Sequence, residues 1–266
     1  MKGPGLVALL LAPAAVAQTA PEPPRPIAAS KIVLVGDSTT AVIGGWGPSF
    51  CAYHVTSFAA CVNLARGGRS SGSYRAEGSW DLALSEMRTP GYKTIWVLIQ
   101  FGHNDQPGKP GRSTDLSIEF PANLARYVDE ARTAGAKPVL LTPLTRRMFK
   151  VGKLQNDLDA WAAAVRKVAA DKQVPLLDLN AESSAAVQAM GEAAADCFAQ
   201  LPPGSAPTGP AAGAPAATEM VVQPMAQPRL SFDRTHLGVE GANYFAAMVT
   251  RELAAAVPEM RPLLVR

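Results

Sequence analysis

Four short motifs of the sequence contain the side chains that acyl transfer to a hydroxyl nucleophile requires. They are, in chain order, Gly36-Asp37-Ser38, Gly67-Gly68-Arg69-Ser70, Gly102-His103-Asn104-Asp105 and Asp233-Arg234-Thr235-His236. They supply a hydroxyl, a backbone N–H donor, a side-chain amide donor, and an acid three residues before an imidazole. A serine nucleophile, an oxyanion hole and an acid–base pair are built from these groups. The motifs together therefore predict an acyl-transfer site.

The base of this site can be identified because the chain has only three histidines. His54 falls in a helix predicted after Trp46, and His103 is expected to be a buried residue that holds the loop carrying Asn104. His236 alone has an acid at orienting distance, since Asp233 lies three residues before it. On a turn, this spacing lets the carboxylate accept from Nδ1–H and leaves Nε2 facing the serine.

The predicted catalytic residues are accordingly Ser38, Asp233 and His236. The developing oxyanion is expected to accept hydrogen bonds from the backbone N–H groups of Ser38 and Gly68 and from the side-chain amide of Asn104. Glycine at position 68 allows the backbone to approach closely. This chemistry requires no metal and no organic cofactor, and the sequence has no Cys or His cluster with the spacing of a zinc site.

A second serine also matches a known nucleophile motif. Gly68-Arg69-Ser70-Ser71-Gly72 fits the pattern G-x-S-x-G of α/β-hydrolases. In that fold a separate upstream loop supplies the oxyanion hole, and the acid and the base lie on different loops. Here no H-G-G-G-type segment precedes Ser70, and the acid is three residues from the base. The pattern therefore favours Ser38 over Ser70 as the nucleophile.

Short apolar runs alternate with amphipathic stretches, which predicts an α/β fold. The runs interpreted as buried strands are Lys31 to Val35, Cys61 to Ala65, Thr94 to Phe101, Pro138 to Thr142 and Val174 to Leu179. Helical spacing marks the stretches Phe120 to Ala131, Trp161 to Val168 and Phe245 to Leu253. The alternation predicts a three-layer α/β/α architecture, with a flavodoxin-like five-stranded parallel sheet in the order 2-1-3-4-5.

This strand order brings three of the motifs to one crevice. Ser38, Gly68 and Asn104 follow the first, second and third predicted strands respectively. Open sheets of this kind bind ligands at the carboxyl ends of their strands, beside the point where the strand order reverses. The segment from Asp233 to His236 precedes the last predicted helix and is expected to reach the crevice from that loop.

The order and content of the motifs resemble the SGNH (GDSL) hydrolase family, whose four blocks carry Ser, Gly, Asn and His. Rhamnogalacturonan acetylesterases are similar in having a G-D-S-T opening, a G-R-S block, a G-H-N-D block and a D-x-x-H close. The resemblance runs from about Lys31 to about Ala256. It implies the same five-stranded sheet and an esterase that deacetylates the backbone of a pectic polysaccharide.

Basic residues are numerous in the segments around the motifs, which fits an acidic polysaccharide. Arg69, Arg112 and Arg146 are predicted to contact galacturonate carboxylates, and Trp80 is predicted to stack on a sugar ring. The other basic residues of these segments are Arg75, Lys109, Arg147, Lys150 and Arg234. Because the chain carries a net charge of only +3, most of this set is expected to be solvated surface. We expect a monomeric enzyme without a nucleic-acid partner.

Three other functions remain open from the sequence. The enzyme could remove acetyl groups from another carbohydrate such as xylan. A GDSL lipase or thioesterase would use the same triad on a fatty acyl group and would need an apolar acyl slot. A carbohydrate-binding protein without catalysis is the third alternative, and the complete Ser, Gly, Asn, Asp and His set disfavours it.

The ends and the composition of the chain predict export. The apolar stretch from Leu6 to Val16 follows Lys2 and precedes an A-x-A pattern, so residues 1–17 are expected to be a signal peptide cleaved near Ala17. This stretch is too short to span a bilayer, so no stable membrane insertion is expected. Residues 18–29 form a Pro-rich lead-in, and 30–266 form a single domain with a flexible Pro- and Ala-rich insertion at 202–228. The product is expected in the periplasm or outside the cell.

Cysteine usage leaves two alternatives. Cys51 and Cys61 are close in sequence and could pair in an exported protein, which would leave Cys197 unpaired. The alternative is three buried thiols.

Overall fold

The structure is a computed structural model that describes residues 27–208 and 230–265. The predicted signal peptide, most of the Pro-rich lead-in and positions 209–229 of the predicted insertion lie outside the described residues. Thr208 and Leu230 form an isolated antiparallel bridge, so the described chain on the two sides of the insertion is joined at its base.

A parallel five-stranded sheet forms the centre of the described chain, as the apolar runs predict. Its strands are β1 Ser30–Gly36, β2 Ala59–Asn63, β3 Ile95–Gln100, β4 Lys137–Leu141 and β7 Leu176–Leu177. Two further strands, β5 Phe149–Lys150 and β6 Lys153–Leu154, lie outside this sheet. The order in the main sheet is β2-β1-β3-β4-β7, with every neighbouring pair parallel. Counting only these five strands, this is the predicted order 2-1-3-4-5, and that prediction is confirmed.

Two strands were not predicted from the sequence. β5 and β6 form a separate antiparallel pair of two residues each, connected through Val151 and Gly152. Both connecting residues have positive φ, 49° and 70°, as in the tight turns that match the twist of a hairpin. Strands this short carry no usable alternation of apolar and polar residues, so the sequence gives little sign of them.

Helices cover both faces of the sheet. They are α1 Gly47–Tyr53, α2 Ser71–Ala76, α3 Ser79–Met87, α4 Glu119–Thr133, α5 Asp159–Lys172, α6 Leu179–Met190, α7 Glu192–Asp196 and α8 Val239–Ala256, followed by a 3₁₀ helix at Pro258–Leu263. The three stretches with helical spacing lie in α4, α5 and α8. None of the helices within the described ranges has the length and apolar character needed to cross a membrane.

Side chains of β1 alternate between two buried clusters. Ile32 and Leu34 pack with residues of α1, α6 and α8, whereas Val33 and Val35 pack with residues of α3, α4 and α5. Successive residues of a strand point to opposite faces, so a central strand must be apolar throughout. β1 is fully buried, and its carboxyl end therefore starts the first motif from a rigid support.

A disulfide joins α1 to the neighbouring edge strand. Cys51 and Cys61 are bonded, with their Cα atoms 5.5 Å apart. Cys197 is free and exposed. The structure therefore decides between the two cysteine alternatives in favour of the bridge.

Candidate active site

The first motif begins where β1 ends and is held by buried hydrogen bonds. Asp37 is fully buried and accepts from the backbone N–H of Thr39 at 2.9 Å and from its hydroxyl at 2.8 Å. Farther along this loop, Thr40 and Trp46 donate to the side-chain oxygen of Gln100, the last residue of β3, at 2.6 and 3.0 Å. The loop that carries Ser38 is thus fixed to two neighbouring strands. Ser38 itself is 7% exposed.

The second motif is a turn packed against Ser38. The N–H of Arg69 donates to the carbonyl of Arg66 at 3.4 Å, and Gly68 has a φ of +78°, which a residue with a side chain adopts only under strain. A Cβ placed on Gly67 would lie 3.7 Å from the Cβ of Ser38. The backbone of this turn therefore runs beside the predicted nucleophile.

The third motif is tied to the second through the side chain of Asn104. Its amide nitrogen donates to the carbonyl of Arg69 at 3.1 Å, and its amide oxygen accepts from Arg112 at 3.3 Å. The same nitrogen of Arg112 donates to the carbonyl of Gly68 at 3.3 Å. These contacts fix which way the amide points. Because an amide nitrogen carries two N–H groups, one remains for another acceptor.

The fourth motif pairs an acid with an imidazole, as its spacing predicts. Oδ2 of Asp233 lies 2.8 Å from Nδ1 of His236, and Oδ1 accepts from the backbone N–H groups of Thr235 and His236 at 2.8 and 2.6 Å. Partial burial favours a higher pKa for Asp233, but its hydrogen bond to His236, the charge of that imidazole and the two N–H groups lower the pKa to about 2. Asp233 is therefore a carboxylate at neutral pH.

The fourth motif lies against Gly44, in the loop that follows the first motif. A Cβ at this position would lie 3.2 Å from both Cβ and Cδ2 of His236, and the carbonyl of Gly44 accepts from the N–H of Leu237 at 2.8 Å. The acid–base pair thus lies against the loop that follows Ser38. Among the described residues, the His236 ring is hydrogen-bonded to Asp233 and not to Ser38.

Comparison with known proteins identifies the family. The GDSL-like lipase/acylhydrolase family matches residues 34–242, which is most of the chain and contains all four motifs. The chain belongs to this family. It is therefore a carboxylic ester hydrolase of the SGNH type, as the resemblance implies.

Similar curated proteins include two from Bacillus subtilis (strain 168). "Probable rhamnogalacturonan acetylesterase YesY" is 34% identical over 171 residues, which are 62% of this chain and 76% of that protein. "Rhamnogalacturonan acetylesterase RhgT" is 35% identical over 169 residues, which are 60% of this chain and 69% of that protein. The predicted resemblance to rhamnogalacturonan acetylesterases is confirmed.

Solved structures support the same fold. The crystal structure of YxiM from Bacillus subtilis matches with a TM-score of 0.63 at 20% identity. The match covers 87% of this chain and 58% of YxiM, so the present chain spans little more than half of that protein. Axe2, an acetylxylan esterase from Geobacillus stearothermophilus, matches with a TM-score of 0.55 at 19% identity, over 85% of this chain and 96% of that one.

The other two histidines of this GDSL-type acylhydrolase have structural contacts. His103 is 3% exposed, and its Nδ1 lies 3.2 Å from Oδ2 of Asp37, so it links the third motif to the first. Burial opposes ionisation of Asp37, but the charge and hydrogen bond of His103 together with Thr39 lower its pKa. His54 follows α1, and its Nδ1 lies 3.1 Å from the carbonyl of Val265.

Trp80 does not lie where a sugar could stack on it. It is 2% exposed, packs edge-on against Tyr127 with ring centroids 4.5 Å apart, and donates its N–H to Glu130. The predicted role of Trp80 in substrate binding is therefore wrong. Trp46 and Tyr74, which have the same aromatic character, are also fully buried. These rings fill the core because each also finds a hydrogen-bond acceptor for its polar atom inside the protein.

The arginines predicted to contact substrate already have protein partners. Arg69 pairs with Glu77 at 2.8 Å and donates to the carbonyl of Gly67. Arg112 is held by the second and third motifs as described above. Arg146 is 8% exposed, pairs with Asp157, and donates to the carbonyl of His103 at 3.4 Å. Their contacts hold the loops around the site in place.

Sequence reasoning missed the role of Arg147, which it grouped with the surface cations. This side chain is fully buried and lies beneath the fourth motif, where it contacts the turn between Asp233 and His236. The residue type and its position after β4 gave no sign of burial, because arginine is seldom buried without a partner. Within residues 27–208 and 230–265, His, Cys, Asp and Glu side chains form no group of three or more suited to a metal ion.

Proposed function

We propose that the protein is a carbohydrate O-acetylesterase that acts on an acetylated pectic polysaccharide of the rhamnogalacturonan type through an acyl-serine intermediate. The observation that carries this proposal is the contact of the bonded Asp233–His236 pair with the loop that follows Ser38. The turn that carries Gly68, one of the expected oxyanion donors, packs against the same serine at Gly67, which supports the proposal. The names of the similar proteins YesY and RhgT support the substrate class.

In the proposed reaction, His236 removes the hydroxyl proton of Ser38 as its oxygen attacks the acetyl carbonyl carbon. The C=O π electrons move onto the carbonyl oxygen, which becomes an oxyanion. When this tetrahedral intermediate collapses, the bond to the sugar oxygen breaks and His236 returns the proton to that oxygen. Water then attacks the acetyl-serine with the same histidine as base, which releases acetate and regenerates Ser38.

The oxyanion is expected to be stabilised by three donors. These are the backbone N–H groups of Ser38 and Gly68 and the remaining N–H of the Asn104 amide. Arg112 fixes the orientation of that amide by binding its oxygen. Loss of one such donor typically costs about 3 kcal/mol of transition-state stabilisation. Arg112 is thus assigned to the oxyanion hole and not to the substrate.

The nucleophile is tested by comparing two serines. Ser38→Ala should abolish hydrolysis of p-nitrophenyl acetate. Ser70 caps α2 through a reciprocal hydrogen-bond pair with Ser73, so Ser70→Ala should lower the free energy of unfolding by about 1 kcal/mol and leave a folded, active esterase. A serine-directed phosphonate should label the peptide that contains Ser38. Labelling of Ser70 would reverse the assignment.

Lys109 is the cation best suited to bind a substrate carboxylate. Among the described residues it has no carboxylate or carbonyl partner for its ammonium group, unlike the three arginines discussed above. Partial burial lowers the pKa of Lys109, and the nearby charges of Arg146 and Arg112 lower it further, against a smaller opposite effect of Asp157. An anionic group bound there would relieve this repulsion, as a galacturonate carboxylate would.

The substrate proposal predicts different responses of charged and neutral substrates. Lys109→Gln should raise KM on acetylated rhamnogalacturonan and leave turnover of p-nitrophenyl acetate nearly unchanged. Added salt should act in the same direction, because screening weakens exposed ion pairs. Lys93→Gln is the matched control, since Lys93 is exposed just before β3, at the opposite end of the sheet.

A panel of substrates tests the alternatives. Acetate release from acetylated xylan but not from acetylated rhamnogalacturonan would favour the xylan alternative. Faster hydrolysis of p-nitrophenyl butyrate and longer esters than of the acetate would favour a lipase or thioesterase. Equal effects of salt on the polysaccharide and on the aryl acetate would count against galacturonate binding.

We also propose that the protein is exported as a monomer. The A-x-A pattern before Gln18 and the Cys51–Cys61 bridge support export, because structural disulfides persist in oxidising compartments. N-terminal sequencing of exported protein should begin near Gln18. An uncleaved chain retained in the cytoplasm would contradict this proposal.

A further inference from the structure

We propose that Arg147 is a positioning residue that holds the segment from Asp233 to His236 in the shape required for acyl transfer. Its guanidinium donates to the carbonyls of Asp233 at 3.0 Å, His236 at 2.8 Å and Thr235 at 3.4 Å. Its backbone N–H donates to the carbonyl of Arg234 at 2.8 Å. One residue therefore binds all four consecutive carbonyls of the segment.

The segment depends on these contacts because it belongs to no helix or strand. Its N–H groups at Thr235 and His236 are bound by the carboxylate of Asp233, and its carbonyls are bound by Arg147. Buried backbone groups without hydrogen-bond partners are costly. In this turn, the side chains of Asp233 and Arg147 provide the partners that a helix or strand would otherwise provide. The orientation of the His236 ring follows from the shape of this turn.

Arginine suits this role because its guanidinium is planar and carries five N–H donors in a fixed fork. A lysine ammonium is a single point and cannot reach carbonyls on both sides of the turn. Arg147 lies in the segment between β4 and β5, and its neighbour Arg146 binds the carbonyl of His103. The chain that leaves β4 thus supports both the third and the fourth motif.

Charge also favours this arrangement. Burial lowers the pKa of Arg147 to about 10 even though Asp233 and Asp196 raise it, so the group remains a cation at neutral pH. It contacts the segment at the backbone carbonyl of Asp233. Arg234 adds a second cation on the same segment, and it is paired with Asp196 and Glu192. Asp233 itself is kept ionised by its contacts with His236 and with the backbone N–H groups of Thr235 and His236.

The inference rests on the proposed esterase function and is tested in the full-length protein with p-nitrophenyl acetate as the probe. Arg147→Met removes the fork and the charge, and Arg147→Lys keeps the charge. We expect kcat to fall roughly 100-fold in Arg147→Met, with KM little changed, because a displacement of about 1 Å at a catalytic group costs that much. The kcat of Arg147→Lys should lie between those of Arg147→Met and the wild type.

Lys31→Met is the control for loss of a buried cation. Lys31 is 3% exposed, pairs with Glu86 at 2.8 Å, and lies at the end of β1 away from the motifs. This variant should have a lower Tm and a wild-type kcat. Each variant is assayed well below its Tm, so that loss of folded protein does not register as loss of catalysis.

A spectroscopic measurement separates positioning from general stability. The Nδ1 proton of His236, hydrogen-bonded to Asp233, should give a downfield NMR signal that is absent from His236→Gln. The signal should persist in Lys31→Met and be lost or broadened in Arg147→Met. If Arg147→Met does not fold, Arg147→Lys supplies the same test.

Wild-type kcat and an unchanged downfield signal in either folded Arg147 variant would overturn the inference. If the proposed function itself is wrong, Ser38→Ala would keep its activity. An inactive Ser38→Ala beside a fully active Arg147→Met would reject the role of Arg147 alone.

Discussion

Asp233 has two tasks that a single carboxylate can perform because each oxygen has its own partners. One oxygen lies 2.8 Å from the His236 ring, and the other binds two backbone N–H groups of the turn. Partial burial acts to raise the pKa of Asp233, but these contacts and the charge of His236 lower it to about 2, below its ordinary value of 3.8. The same residue thus orients the His236 ring and stabilises the loop that carries it.

Asp233→Asn should separate these two tasks. The amide oxygen can still bind the backbone, but the ring of His236 is no longer held in the required tautomer, so kcat should fall by a factor on the order of 10⁴. Steady-state kinetics on p-nitrophenyl acetate measure this loss. A variant with near wild-type kcat would remove Asp233 from the catalytic set. Asp129→Asn, an exposed partner of Lys172, is the control.

The pH dependence of stability provides a second measurement on Asp233. Because the folded-state pKa is lowered, the contribution to stability is complete above about pH 4 and is lost as the pH falls through about 2. The wild type should therefore lose stability over this range more steeply than Asp233→Asn. Urea unfolding measures the free energy of unfolding of both proteins. An equally steep fall with decreasing pH in the two would contradict a lowered pKa of Asp233.

At the scale of elements, Asp105 connects the loop after β3 to the start of α2. One of its oxygens accepts from the N–H and the hydroxyl of Ser71 at 3.0 and 2.6 Å and from the hydroxyl of Thr114 at 3.0 Å. Asn104 and the second motif lie at the two ends of this connection. Burial raises the pKa of Asp105 to about 7, although the hydrogen bonds from Ser71 and Thr114 lower it.

This raised pKa predicts a loss of stability with rising pH. The native protein binds the proton of Asp105 between about pH 4 and pH 7, whereas the unfolded chain has released it, so stability is highest below that range. The decline should be on the order of 4 kcal/mol, since each pKa unit corresponds to about 1.4 kcal/mol. Asp105→Asn should have a flatter profile in urea unfolding at a series of pH values. A profile as steep as that of the wild type would assign the decline to other groups.

At the scale of the whole molecule, the disulfide fixes β2, an edge strand of the sheet, to α1, the helix that follows the loop carrying Ser38. The bridge closes a loop with a sequence separation of 10 and restricts the unfolded chain. The chain-entropy estimate for such a loop is about 3 kcal/mol. In a protein of this size, that corresponds to a Tm difference of roughly 6–12 °C.

Replacing Cys51 and Cys61 together by Ala should lower Tm by this amount and leave kcat on p-nitrophenyl acetate unchanged. Cys197→Ala is the matched control, because Cys197 is free and exposed. Thermal unfolding followed by circular dichroism measures both. An unchanged Tm in the double variant would indicate that packing alone holds this edge of the sheet.

The sequence by itself determined the sheet and the four motifs. A central parallel strand must be apolar on both faces. The turns after the strands need specific residues, such as glycine at position 68. Both features can therefore be recognised from short stretches of sequence. The pairing of Asp233 with His236 was predictable for the same reason, since three residues of one turn set the distance.

Tertiary structure alone decided the roles of the arginines and tryptophans. Nothing local to Arg147 indicates that a turn more than 80 residues away will lie above it. Trp80 and Arg112 have side chains that suit a carbohydrate site equally well, yet Trp80 is buried against Glu130 and Arg112 binds the side chain of Asn104. Burial and hydrogen-bond partners arise between distant segments, and residue type constrains them only weakly.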